Sequence, residues 1–477
     1  MGMNTSSGGT RPGTSPWAAV LLLSLLVVGC EEGVVYPGGE AVAGFLVSPD
    51  SVGVGVTGVF QLRAEAMNAK GYALPVDAVV WSSADTFVSI DALGLLTAHA
   101  EGQTVITAVL GTHSATVQVT VDPPGPAAWS EHVCAWAAAG SAYCWGRGVS
   151  GELGTGDRAG GTVPRQVPFL SELTTVSTGA GHTCGLKHSG VVWCWGRGAE
   201  GQLGDGTAHS SLTPIFVAGG FHFLKIAAGG RHTCGVTVDS HVRCWGWNES
   251  GQIGNGTTVG QDQPGLIQSE QRFKDVSAGG RHTCALSEDG LAWCWGVNER
   301  GQLGNGSTTD SHTPVRIASG VRFLSVSAGA GHTCALDESQ RAHCWGANEH
   351  AQLGIGKLTD TLVPSPVAFR IPYGSISSGH YHTCALRANG QLYCWGEGAS
   401  GQLGTGANVL QGVPQLIGEN FYYSVFAGAS TSCAVERVSL QAYCWGTSSF
   451  GQLGQGPVQS VNVPSAVSGF QFLQIGR

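Results

Sequence analysis

The chain has 477 residues, enough for more than one domain. Only 12% of them are charged and the formal net charge is −9, which argues against nucleic-acid binding, since that needs a basic footprint. Glycine supplies 75 residues, roughly twice average usage. Short β-branched and aromatic runs set off by Gly, Pro, Asn and Ser predict an all-β protein with no long amphipathic helix.

In chain order, the first element is the apolar run "WAAVLLLSLLVVG", Trp17–Gly29, downstream of Arg11. It is too short to span a bilayer comfortably and reads as a signal-peptide core. The stretch "LLVVGC", Leu25–Cys30, resembles a bacterial lipobox, with Gly29 as the small residue before the cysteine and Val27 where leucine is more usual. That resemblance implies cleavage before Cys30, lipidation of its sulfur and export. A plain secretory signal with an incidental cysteine is the alternative. Glu31, standing where Asp is associated with inner-membrane retention, points to the outer membrane. Residues 1–29 are thus a signal peptide, and 30–40 a short flexible tether containing "EEGVVYPGGE".

Residues 41–122 hold no cysteine. Alternating runs at Val59–Ala66, Ala78–Ser83, Gln103–Leu110 and Ser114–Val121 predict strands of a β-sandwich. The order of "VFQLRAEA", "VVWSSADTFVSIDALGLLTAHAEGQTVITAVLG" and "SATVQVTV" resembles the bacterial immunoglobulin-like group 2 domain. The resemblance implies Trp81 as a core tryptophan and Gly94 as a turn residue. "DPPGP", Asp122–Pro126, reads as a stiff linker, so that 123–126 separates this domain from the rest.

From residue 127 to 477 the chain repeats. Cys-Trp-Gly recurs at Cys144, Cys194, Cys244, Cys294, Cys344, Cys394 and Cys444, a period of 50. Each has an upstream partner: Cys134, Cys184, Cys234, Cys284, Cys334, Cys384 and Cys433. A Gly-Gln-Leu-Gly unit follows each pair, beginning at Gly151 (with Glu152), Gly201, Gly251, Gly301, Ala351, Gly401 and Gly451. Proline keeps the register at Pro164, Pro214, Pro264, Pro314, Pro364, Pro414 and Pro464. Such a period indicates a solenoid, propeller or array.

"HTCALS" and "LAWCWG" predict a hairpin around "EDG", Glu288–Gly290, with glycine at the position needing positive φ. Pairing about Asp289 sets Cys284 opposite Cys294, within disulfide range, and sends Trp293 and Trp295 to the other face with Thr283 and Ala285. Both faces are then apolar, and a small sheet buried on both faces needs a neighbour on each side, which seven sheets around an axis supply. Each period has room for four strands, with the fixed proline before the last strand suited to an outer edge and the leucine of the Gly-Gln-Leu-Gly unit plugging into the blade beneath. The first repeat lacks its first strand, while the terminal "FQFLQIGR", Phe470–Arg477, aligns with Val321–Gly329 so that Ile475 matches Val326. The last strand should therefore complete the first blade.

The set "AGGRHTCAL…WCWGVNERGQLGNG" resembles the regulator of chromosome condensation repeat family, over 127–477 in all seven repeats. The resemblance implies a seven-bladed β-propeller, but a fold hosts many functions.

Three readings stand for the cysteine pairs: disulfides, which suit an exported protein; buried free thiols; and a metal held by His282, Cys284 and Cys294. Thr431 in the seventh repeat argues against metal, since Cys433 and Cys444 persist where the histidine does not. The repeat histidines, His132, His182, His232, His282, His332 and His382, are expected to hold the loop before the strand by a hydrogen bond.

No Gly-x-Ser-x-Gly elbow, His-Glu-x-x-His helix or phosphate loop appears, so the chain reads as a non-enzyme with no cofactor and no metal. A site assembled across blades would leave little linear signal and is the enzymatic alternative. Function is expected in the variable loops, where Trp247, Arg300, His350 and Phe450 follow Cys-Trp-Gly, and Arg231, Arg281 and Tyr381 precede the first cysteine. Aromatic and arginine residues are the usual interface anchors. The expectation is a scaffold anchored to the cell envelope, binding a protein or glycan and no nucleic acid. The family's namesake branch instead implies guanine-nucleotide exchange on a small GTPase, against which stand export and the absence of a basic tail. A light-sensing plant branch has Gly-Trp-Arg-His-Thr where this chain has "GGRHT", so its chromophore cluster is missing.

Overall fold

The computed structural model describes residues 41–48, 51–55, 59–70, 72–76, 78–86, 88–99, 102–122, 131–137, 140–471 and 474–475. The signal run, Cys30, the tether and most of the linker lie outside the described residues. Apart from one 3-10 turn at Ala368–Arg370, the described elements are all strands.

The N-terminal unit is a sandwich of short sheets. Gly102–Leu110 pairs antiparallel with His113–Asp122 and with Val80–Ser83, and His113–Asp122 also takes Ser51–Gly55 in parallel. Alternation puts Ile106, Ala108, Leu110, Val117 and Val119 inside. Trp81 is half-buried and bridges the two apolar clusters of this unit. Gly94, in the turn closed by its N–H to the Asp91 carbonyl, has φ 82°, and a Cβ there would come within 3.0 Å of the Trp81 ring. The run expected as one strand over Val59–Ala66 is two, Val59–Gln61 and Arg63–Met67, which pair in different sheets. The chain crosses between sheets at buried Leu62, a break that alternation does not register because polarity stays in phase through it.

The rest of the chain forms seven four-stranded antiparallel sheets. In the fourth, Phe273–Ala278, His282–Ser287, Ala292–Gly296 and Ser311–Arg316 follow one another from axis to rim. The first strands line a central cavity of about 380 Å³. Cys284 lies opposite Cys294 as the turn dictates, and Ser287 and Leu291 flank a turn whose Gly290 has φ 83°. Seven disulfides result, Cys134–Cys144 through Cys433–Cys444, each across its own hairpin with Cα atoms 4.1–4.2 Å apart. With both sulfurs bonded, and His282 bound instead to Thr333, the metal reading does not hold.

Blades meet through one repeated layer. The cystine face of a blade packs against the indole of the next: Cys234 and Cys244 share a cluster with Trp295, and Cys284 and Cys294 with Trp345. The leucine or isoleucine of the Gly-Gln-Leu-Gly unit, Ile253 and Leu303 among them, fills the same layer and is fully buried. The second glycine of that unit lies flat against the neighbour's indole. Gly254 has φ 78°, and a Cβ on it would sit 2.6 Å from Trp295 Nε1. The prolines fall inside the fourth strand rather than before it, as with Pro264 in Gln261–Leu266. This strand pairs on one side only, so the missing N–H costs no ladder bond and the rim is protected against further pairing.

Closure follows the register expected from the sequence. Gln474–Ile475 pairs antiparallel with the first blade, Ile475 against Ala135, as Val326 pairs with Ala335 two hundred residues on. Trp145 of the first blade meets Phe426, Cys433 and Val435 of the seventh.

Candidate interaction face

Antiparallel order fixes where loops gather. A chain that runs toward one face in the first strand returns in the second, so first-to-second and third-to-fourth loops share one face. All seven candidate residues lie on such loops, and the chain enters the ring on that face at Glu131.

A buried layer of polar groups holds this face together. The carbonyl of Gln252 accepts two hydrogen bonds from the next blade, from Trp295 Nε1 at 2.9 Å and Thr283 Oγ1 at 2.8 Å. The Thr283 oxygen in turn accepts from His232 Nε2 of the preceding blade at 2.8 Å. The same links run His132–Thr183, His182–Thr233, His282–Thr333, His332–Thr383 and His382–Ser432. The histidines therefore hold neighbouring blades rather than their own loop. All six are fully buried. Burial pushes their pKa down, to about 4 for His182 and about 3 for the others, so they stay neutral, with the proton on Nε2. The seventh interface lacks both partners at once: Thr431 replaces the donor, and Val133 replaces the acceptor.

One offset generates the surface contacts. A first-to-second loop residue touches the residue 31 positions earlier, on the preceding blade: Arg231 with Glu200, Arg281 with Ser250, Tyr381 with His350. These contacts form two groups along an arc of the face, one around Trp247 and one around His350. Arg197 and Arg231 flank Glu200, at 2.6 and 3.6 Å, and although burial raises its pKa the two guanidiniums outweigh it and hold the carboxyl below its usual range. The Arg231 and Arg281 guanidiniums lie 5.7 and 5.3 Å from the Trp247 ring centroid, within cation–π range. Arg281 Nη2 donates to Ser250 Oγ at 2.8 Å. Arg300 pairs with Glu349 and Asp360, both at 2.7 Å. His350 Nδ1 lies 2.7 Å from Glu397. The His380 ring stacks on Tyr381 at 3.9 Å, and the His350 ring lies 4.2 Å from it, tilted by 33°.

The loops beneath the arc are internally braced. Asn248, Asn298 and Asn348 are buried, and each spans its third-to-fourth loop; Asn298 Nδ2 reaches the Ser307 and Thr309 carbonyls at 3.0 Å while Oδ1 accepts from Leu303 N at 2.9 Å. Blades three to five, which hold the centre of the arc, are the ones with this asparagine.

Six of the seven expected residues thus lie on one face in two contact groups, Arg231, Trp247 and Arg281 in one and Arg300, His350 and Tyr381 in the other. Phe450, 43% exposed on the seventh blade, has no ring contact or ion pair with it among the described residues. The sequence reading missed Glu200, Ser250, Glu349, His380 and Glu397, which orient the arc. The 31-residue offset is the signal that could have found Glu200 and Ser250. Nothing in the linear pattern marks His380 or Glu397.

The RCC1-like domain family model matches residues 141–476, and the bacterial Ig-like domain (group 2) model matches residues 41–121. Among solved structures the chain is similar to human WBSCR16, with 22% identity, TM-score 0.62, and coverage of 69% of this chain and 94% of that one. It is also similar to yeast RCC1 (Prp20) in a structure with Kap60, with 22% identity, TM-score 0.64, and coverage of 73% and 88%. A Saccharomyces cerevisiae Prp20p structure, described with its binding to Gsp1p and histones, has 24% identity, TM-score 0.63, and coverage of 70% and 88%. No curated protein sequence matches the chain. At these identities the likeness shows the fold alone.

Proposed function

The chain belongs to the RCC1-like domain family, and from that membership we propose that it is a binding scaffold of the bacterial cell envelope. Its ring presents the Arg231–Trp247–Arg281 face to a protein partner, the Ig-like domain acts as a spacer, and a lipid on Cys30 supplies the anchor. The observation that carries this reading is the arc itself: arginines and aromatics, the residues enriched in binding hot spots, gather from several blades on one face. Braced loops lose little freedom on association, so more of the contact energy appears as affinity. A related propeller, yeast RCC1, has been solved bound to a protein, Kap60. Nucleotide exchange, the activity of the namesake branch, rests here on the fold alone.

The test uses the chain from Glu31 onward, immobilised and exposed to envelope extract, beside an Arg231→Ala/Trp247→Ala variant and an opposite-face variant, Val238→Ser/Val438→Ser, whose parents are 62% and 88% exposed. Capture of a defined protein by the wild type and the Val variant, with loss in the arc variant, is the expected result. Equal capture by all three would rule out this face. For the anchor, mass spectrometry of the N-terminal peptide should show diacylglycerol on Cys30, and Cys30→Ala should release the chain from membranes; an unmodified Cys30 would remove the anchor from the proposal.

A further inference from the structure

At the fifth blade the 31-residue contact is missing, and a space opens in its place. The position that holds Arg231, Arg281 and Tyr381 in blades three, four and six is Gly331 in blade five. Arg300, its expected partner, turns instead to Glu349 and Asp360. What remains is a pocket of about 190 Å³ between Arg281 on one side and His380 and Tyr381 on the other. A Cβ on Gly331 would meet only Ala347 Cβ, at 3.4 Å, so the space exists because the residue has no side chain and not because the backbone is tight.

The arginines of this face are unequally paired. Arg147 has Glu131 and Glu152 within 3.7 Å, Arg197 and Arg231 share Glu200, and Arg300 has two carboxylates. Arg281 has no carboxylate within ion-pair distance among the described residues. Its Nη2 makes a single hydrogen bond to Ser250, and its Nε is buried without a partner. A guanidinium offers five donors in a fixed fork matched to a carboxylate, so most of that capacity is unused. Glu349, the one carboxylate on the pocket wall, is committed to Arg300. His380 adds no charge, because burial and the neighbouring His350 lower its pKa to about 4. The Tyr381 ring is already in contact with the His380 and His350 rings, and two arginines lie near the Trp247 ring.

We propose that this pocket receives an aspartate or glutamate side chain of a protein partner, with Arg281 as its counter-ion. The inference rests on the binding-scaffold reading and names the chemistry that the partner must present at the centre of the face.

The test titrates the chain from Glu31 onward with acetyl-Gly-Glu-Gly-amide, its Gln counterpart and digalacturonate, followed by saturation-transfer NMR. The Glu peptide should bind with a Kd on the order of millimolar, and the Gln peptide about tenfold or more weakly, as expected for loss of a charge-assisted contact. Arg281→Gln should weaken the Glu peptide by about the same factor. Gly331→Tyr, which fills the pocket while keeping Arg281, should abolish binding even if Arg281→Gln perturbs the loop. Undiminished binding to both variants, tighter binding of digalacturonate, or no saturable binding of the Glu peptide would each overturn the proposal. Partner capture that still depends on Arg231 and Trp247 would then leave the scaffold reading standing and reject only the acidic pocket.

Discussion

At the scale of single residues, the buried histidines set the acid response of the ring. Their folded pKa values, about 3 to 4, lie far below the unfolded value near 6.5. At falling pH the unfolded chain takes up these protons first. The stability is therefore complete above pH about 6.5 and declines as pH falls toward the folded values. Urea midpoints should drop between pH about 6.5 and 5, a window above most carboxylate titrations, and His282→Gln should make that slope shallower. An unchanged slope in the variant would show that the ring does not govern the response. Turn positions give a second test. Gln340 is exposed with φ 62° where four other hairpins have Gly140, Gly190, Gly290 and Gly390. A left-handed conformation costs a non-glycine residue roughly 1–2 kcal/mol, and glycine's greater unfolded entropy returns part of that. Gln340→Gly should raise the unfolding free energy by about 0.5–1 kcal/mol in urea melts, and Gly290→Ala should lower it by about 1 kcal/mol.

The element that repeats is the hairpin with a cystine on one face and an indole on the other. Its two faces are buried against different blades, so each hairpin is incomplete alone. All fourteen paired cysteines have no solvent exposure. Reductant should therefore leave the bonds intact in the native state and attack them only once a blade opens, which alkylation and mass spectrometry under native and denaturing conditions would distinguish. Replacing Cys284 and Cys294 by alanine should cost about 2–3 kcal/mol, the chain-entropy value for so short a loop, and somewhat less where the hairpin already restrains the unfolded chain. That alternation placed the sulfurs opposite one another was legible from the sequence, because a turn of fixed length sets the register. That the histidines bridge to the next blade was not, because their threonine partners lie 51 residues away and only the ring brings them together.

For the whole molecule, the decisive interface is the closing one. Blades seven and one are joined by the terminal strand, by Trp145 Nε1 donating to the Gln452 carbonyl at 2.9 Å, and by apolar packing. The histidine–threonine link that joins the other blades is absent there, at Thr431 and Val133. The double variant Thr431→His/Val133→Thr should restore it. Its coupling energy in a double-mutant cycle should be favourable by about 1 kcal/mol or more, whereas Thr431→His alone leaves a buried imidazole N–H unpaired and should destabilise. A coupling near zero would mean that the closing interface does not share the geometry of the others.

What the sequence determined by itself was the count and content of the repeats. Fixed spacing of cysteine, tryptophan, glycine and proline specifies local strands, turns and cross-strand pairs, and local geometry is independent of how blades later assemble. It also named six residues of the arc, since arginine and aromatic side chains stand out in loops. The tertiary structure alone decided that these six gather on one face in two contact groups, that Phe450 lies apart, and that Gly331 leaves a pocket beside an arginine lacking a carboxylate. Those facts depend on contacts between consecutive blades, 31 to 51 residues apart in the chain, and such distances are set by ring closure rather than by any neighbouring residue.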